Sequence, residues 1–155
     1  MRDVEFVSRY GGNIRAFIGS DSIKFNECVV DEGLFLKKFE NLKENLISWR
    51  DETKDMIEEH VLKHGKICAI AFPGRAAILI KLLGINENHI SAVYEIIGSI
   101  KVGHYAPGTR IPILPEAELF SRPDKSKPIL NLAWHLPQEV RANLGKHDYT
   151  GEVID

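Results

Sequence analysis

A chain of 155 residues, 44% of them apolar, fits one ordinary domain or a compact domain carrying an extra element, with ample material for a core. Its formal charge of −2, with signs mixed throughout, leaves no basic stripe and excludes nucleic acid as a partner. Only Cys28 and Cys68 are present, with no CxxC pair, which argues against a disulfide framework or a structural zinc site and predicts a reduced, cytoplasmic protein.

The start, Met1-Arg2-Asp3-Val4-Glu5, is too charged for a signal peptide. Glu5 to Tyr10 and Asn13 to Ile18 alternate around Gly11-Gly12, predicting a hairpin or one bulged edge strand, either of them too short for a core of its own. From Asp31 to Lys63 no proline occurs, and Phe35, Phe39, Leu42, Leu46, Trp49, Thr53, Met56 and His60 recur at alternating steps of four and three. This is one stripe of a long helix, with Asp31 and Glu32 suiting its start and Lys63, His64 and Gly65 its end. The stripe suits packing within a larger assembly, including a homo-oligomer through the helix. His60 and His64 stand one turn apart, but without a third ligand or an HExxH pattern no metal site is predicted.

After Gly65 the pattern changes. Lys66 to Phe72 is an apolar run without alternation, as in a strand buried on both faces. Pro73-Gly74-Arg75 breaks it, and Ala76 to Leu83 reads as a helix ending near Gly84, far too short to span a bilayer. Ile90 to Glu95 follows as a strand, then a polar loop, then Arg110 to Leu114 as a short strand. A helix from Pro115 to Phe120, a strand from Pro128 to Trp134, a helix from Pro137 to Leu144 and a strand from Gly151 to Ile154 complete the chain. Strands alternating with helices predict an α/β fold. The expectation is a Rossmann-like, doubly wound and mainly parallel sheet over 66–155, preceded by an N-terminal hairpin and long helix over 1–65.

Ligands of such sheets bind at the carboxyl ends of the strands. Three segments fall there. In Ala71-Phe72-Pro73-Gly74-Arg75-Ala76-Ala77, helix N–H groups and the Arg75 guanidinium can receive a phosphate, although a surface arginine on a tight turn fits as well. Only Gly74 is a glycine, so no dinucleotide fingerprint is present. Glu95 can accept from ribose hydroxyls or simply face water. Beyond it, Lys101 to Ile113 gathers Lys101, His104, Tyr105, Thr109 and Arg110 around a Pro107-Gly108 turn, an inventory suited to an anion bearing hydroxyls or, equally, to a solvated connection with ordinary surface charges. At the third segment, His135 follows Trp134 and is a candidate general base or a capping residue; His104 is a second candidate acid or base.

These residues carry a resemblance. Tyr10-Gly11-Gly12-Asn13-Ile14-Arg15 resembles the His-Gly-Gly-Ser-Leu-Arg pattern of sugar C-methyltransferases, and Lys101 to Ile113 is similar to their Lys-x-Gly-x-Tyr-x-Pro-Gly-Thr-x-Ile-Pro-Ile loop. The resemblance covers nearly the whole chain and implies the C-terminal domain of a nucleotide-sugar C-methyltransferase dependent on S-adenosylmethionine. It implies a partner, a nucleotide-linked sugar, and binding positions at Gly74, Arg75, Glu95, Lys101, Tyr105, Thr109 and Trp134. It also implies that the methyl donor belongs to a companion domain or subunit, since no glycine-rich donor motif or zinc-ligand cysteines occur here, and the isolated chain is expected to be inactive. Two departures bear on the sugar: Phe72-Pro73-Gly74-Arg75 replaces a small, glycine-rich turn, and Ala133-Trp134-His135 replaces Pro-Trp-Asn. The alternatives are a small stand-alone enzyme acting on a nucleotide sugar, and an assembly module working through the long helix.

Overall fold

The computed structural model describes residues 2–7, 13–20 and 32–155. The chain divides into two units, Met1–Glu44 and Asn45–Asp155, with the boundary inside the long helix.

In the first unit, β1 (Asp3–Val7) and β2 (Asn13–Phe17) pair antiparallel from Asp3 opposite Phe17 to Val7 opposite Asn13. The hairpin reading of this segment is therefore the correct one of the two. Its Gly11-Gly12 turn and Tyr10 lie outside the described residues, as do Asp31 and Cys28. Arg15 donates to Glu5 across the pair at 3.2 Å.

A 3-10 turn (Glu32–Leu34) leads into α1 (Phe35–His64), so the helix begins a turn later than its acidic residues suggest. It stops where expected: Gly65 adopts φ 74° and donates its N–H to Val61 O at 2.8 Å, a C-terminal cap that glycine adopts without steric cost. The face of α1 that enters the core carries Ile57 and Val61. Ile57 is buried and Val61 half-buried, each one position round from the exposed Met56 and the half-buried His60 of the four-three stripe.

In the second unit, β3 (Ile67–Ile70), α2 (Ala76–Leu83), β4 (Ile90–Glu95), β5 (Ile113–Pro115), α3 (Glu116–Phe120), β6 (Ile129–Asn131), α4 (Pro137–Lys146) and β7 (Val153–Ile154) follow in turn. All five strands are parallel, in the order β5-β4-β3-β6-β7. The chain builds outward from β3 through β4 to β5, then returns to the other side of β3 for β6 and β7. The strand order thus reverses between β3 and β6.

Both faces of the sheet are covered, as parallel strands require. Ala69, Val93 and Leu130 point with Ile57 of α1 and Ala76, Ile80 and Leu83 of α2 into one core. Cys68, Ile70, Ala92, Tyr94 and Ile129 meet Leu119 of α3 and Val140 and Leu144 of α4 in the other. Alternation, hidden in the sequence because both sides are apolar, sorts the residues between the two cores, except that a register shift opposite Ile67 and Cys68 sends Ile90 and Ala92 of β4 into different ones.

Candidate functional site

Register brings three strand ends together. Ile70 pairs with Tyr94 on one side and Asn131 on the other, so the residues after β3, β4 and β6 emerge at one edge. This is the carboxyl edge at the reversal of strand order, where open α/β sheets hold ligands.

After β3, Ala71 has φ 62°, a left-handed conformation that is unusual for a residue with a Cβ. Its N–H still joins the ladder, donating to Tyr94 O at 2.8 Å, and Phe72 is buried in the core beneath. The chain then passes Pro73 and the exposed Gly74 to Arg75, the N-cap of α2, which makes no side-chain capping hydrogen bond. The exposed Arg75 places its guanidinium carbon 6.0 Å from the Trp134 ring centroid. Both line a cavity of about 580 Å³, walled by Trp49, Leu82, Leu130 and Asn131 among others. Trp134 in turn meets the His135 ring edge-on at 5.6 Å.

Glu95, at the end of β4, is buried. It accepts the Phe72 N–H and lies 3.6 Å from Lys101 Nζ, which donates to Phe72 O. Glu95 and Lys101 therefore meet each other over the β3–α2 turn.

The loop from Lys101 to Ile113 folds back on itself. Ile113 donates to His104 O and Gly103 to Ile113 O, with Tyr105 bridged to Pro112. Thr109 N–H reaches Ala106 O at 3.0 Å and Gly108 has φ 78°, so Ala106-Pro107-Gly108-Thr109 is a type II turn. Ala106 and Ile111 anchor it in the core. The Thr109 hydroxyl is committed within the turn, donating to Ala106 O and accepting from Ile111 N. Thr109 lines a separate concavity of about 660 Å³ with Lys81 and Asn86, while His104 and Tyr105 are exposed.

The expected residues thus fall into groups: Arg75 and Trp134 at the cavity, Glu95 and Lys101 on Phe72, and Thr109 beside α2. Asn131 was not among the residues expected here; its side chain accepts from Ala133 N at 2.9 Å and donates to Asp155 at 2.7 Å. This fixes the turn that delivers Trp134. A lone polar residue in the run Ile129-Leu130-Asn131-Leu132 was its signal. Asp155 is also paired with Arg141. Trp49, seen before only as part of a helical stripe, is the second aromatic wall.

On the opposite face, Arg122 donates to the Tyr94 hydroxyl and to Cys68 Sγ, and its guanidinium carbon lies 5.0 Å from the Tyr94 ring centroid. Burial pushes the Tyr94 hydroxyl above its ordinary pKa, against the opposing pull of Arg122. Among the described residues, no helix is long and apolar enough to cross a membrane.

No curated protein matches the chain. A family model does, that of the C-methyltransferase C-terminal domain, over residues 10–154. With nearly its whole length matched, the chain belongs to the C-methyltransferase C-terminal domain family.

Proposed function

We propose that this domain holds the nucleotide diphosphate of a nucleotide-linked sugar at the carboxyl edge of its sheet. The methyl donor, S-adenosylmethionine, and the transfer step belong to a companion domain or subunit. One observation carries the reading: Arg75 stands exposed at the N-cap of α2, with no side-chain capping hydrogen bond, beside Trp134 where the strand order reverses. A guanidinium and the N–H groups of a helix start offer a diphosphate charge-assisted hydrogen bonds, and an indole offers a flat face to a base or sugar ring. Binding energy gathered on the diphosphate then positions a remote sugar carbon for chemistry carried out by another domain.

Gly74 supports this role, since its exposed turn carries no side chain to obstruct the approach of a phosphate. Tyr105 is exposed on the loop after β4 and is available to a larger ligand. Calorimetric titration with nucleoside diphosphates and sugar nucleotides tests the proposal directly. Saturable binding of at least one supports it, and no heat of binding up to millimolar concentration overturns it.

A second reading is favoured by a different observation. Phe35, Leu36, Phe39 and Leu42 of α1 are exposed, more apolar surface than a solvated helix presents. In this reading the helix recruits a partner, and the measurement is light scattering of the protein beside its Leu42→Glu variant.

A further inference from the structure

Two side chains at the edge of the sheet are turned toward the main chain of the neighbouring strand end. Glu95 is buried at the end of β4, and one of its oxygens accepts the Phe72 N–H while the other lies 3.6 Å from Lys101 Nζ. Lys101 Nζ donates to Phe72 O and stands 5.9 Å from the Phe72 ring centroid. An ion pair carried by β4 and its following loop therefore engages both main-chain polar groups of one residue beyond β3. The residue before it, Ala71, is in the left-handed region, which an L-residue occupies only when its surroundings over-determine it. The residues after it are Pro73, Gly74 and Arg75.

We infer that Glu95 and Lys101 are positioning residues: together they clamp Phe72, hold Ala71 left-handed, and so aim Gly74, Arg75 and the first turn of α2 at the reversal point. The effect on ligand affinity rests on the reading of Arg75 given under Proposed function. The clamp itself belongs to the unliganded domain and is tested without any ligand. The chemistry fits the task. A carboxylate has acceptor capacity for an amide and an ammonium together, and an ammonium has three donors for a carbonyl and a carboxylate. A buried amide that loses its acceptor is left with an unmet hydrogen bond, which favours opening of the turn.

The test is hydrogen exchange at the Phe72 amide, alongside affinity for ADP and UDP, in the parent and in Glu95→Ala, Glu95→Gln and Lys101→Met. Glu95→Gln keeps a carbonyl acceptor for Phe72, so it should restore the protection that Glu95→Ala loses. In Glu95→Ala, Phe72 exchange should accelerate about tenfold to a hundredfold, with the Ile129 amide of the central sheet unmoved. Lys101→Met should accelerate it in the same direction, and it carries the test if Glu95→Ala fails to fold. Nucleotide affinity should fall with loss of protection and recover in Glu95→Gln. Phe72 exchange at the parent rate in Glu95→Ala and Lys101→Met would overturn the inference. So would an affinity lost equally in Glu95→Gln and Glu95→Ala with Phe72 still protected, which would make Glu95 a direct ligand contact. If the parent binds neither nucleotide, the proposed function fails for those ligands, and the exchange rates alone decide the clamp.

Discussion

Arg75 and Trp134 lie with guanidinium carbon and ring centroid 6.0 Å apart, although they are distant in sequence. Parallel pairing of β3 with β6 puts their two strand ends side by side, and the Asn131 side chain closes the turn that presents the indole. A cation and an aromatic face at one strand-order reversal are the elements a diphosphate with a ring attached requires.

Removing the cation should therefore weaken binding without weakening the fold. Arg75→Ala is expected to lower nucleoside diphosphate affinity about tenfold to a hundredfold, the worth of a charge-assisted hydrogen bond or two. Because Arg75 is exposed, its unfolding free energy in urea should stay within about 0.5 kcal/mol of the parent. Arg75→Lys should fall between, keeping charge but losing the fork.

Both tryptophans of the chain, Trp49 and Trp134, line the same cavity. Intrinsic fluorescence should therefore report ligand entry. A saturable change with nucleotide is expected, reduced most in Trp134→Phe; an undiminished signal in that variant would move the ligand away from this indole.

The face of α1 that meets the core is open to a stability comparison. Ile57→Ala removes a fully buried side chain and should cost about 2–5 kcal/mol. Met56→Ala, at a residue more than a third exposed, should cost about 1 kcal/mol or less. Denaturant unfolding of the two variants checks the order, and equal costs would place the core contact on the wrong row.

Alkaline pH should destabilise the domain through Tyr149. Burial pushes its hydroxyl up to about 12, and the hydroxyl donates to Lys127 O at 2.8 Å. The folded state thus holds this proton more tightly than the unfolded chain, whose tyrosines titrate near 10. Its contribution to stability is whole below about pH 10 and is lost as pH rises toward about 12, since the unfolded state then binds fewer protons. Urea unfolding across that window should show a falling free energy, with a shallower slope in Tyr149→Phe.

Gly108 closes the type II turn at φ 78° with open space where a Cβ would point. Gly108→Ala should therefore cost only backbone strain, about 1–2 kcal/mol, seen as a lowered Tm. A larger loss would mean that the loop contributes packing beyond Ala106 and Ile111.

The local features of this fold were legible in the sequence. Ala76–Leu83 was bounded by Pro73-Gly74 before it and Gly84 after it, and Pro107-Gly108 announced its turn, because these signals act within a few residues. Strand ends were less so. The strand predicted to run to Trp134 stops at Asn131, whose side chain takes the Ala133 N–H and ends the ladder. The Phe72 clamp could not be read at all. Glu95 and Lys101 reach Phe72 only because β4 lies beside β3, and strand order is a tertiary fact. The same pairing explains why a carboxylate expected to meet either ribose hydroxyls or water is turned toward a neighbouring amide.

The most direct measurement of the central claim is amide chemical-shift mapping of the isotope-labelled domain titrated with a nucleoside diphosphate. Saturable shifts concentrated at Gly74 to Ala77 and Ala133 to His135, weakened in Arg75→Ala, are expected. Absence of any saturable shift, or shifts confined to the concavity beside Thr109 or to the exposed half of α1, would contradict it.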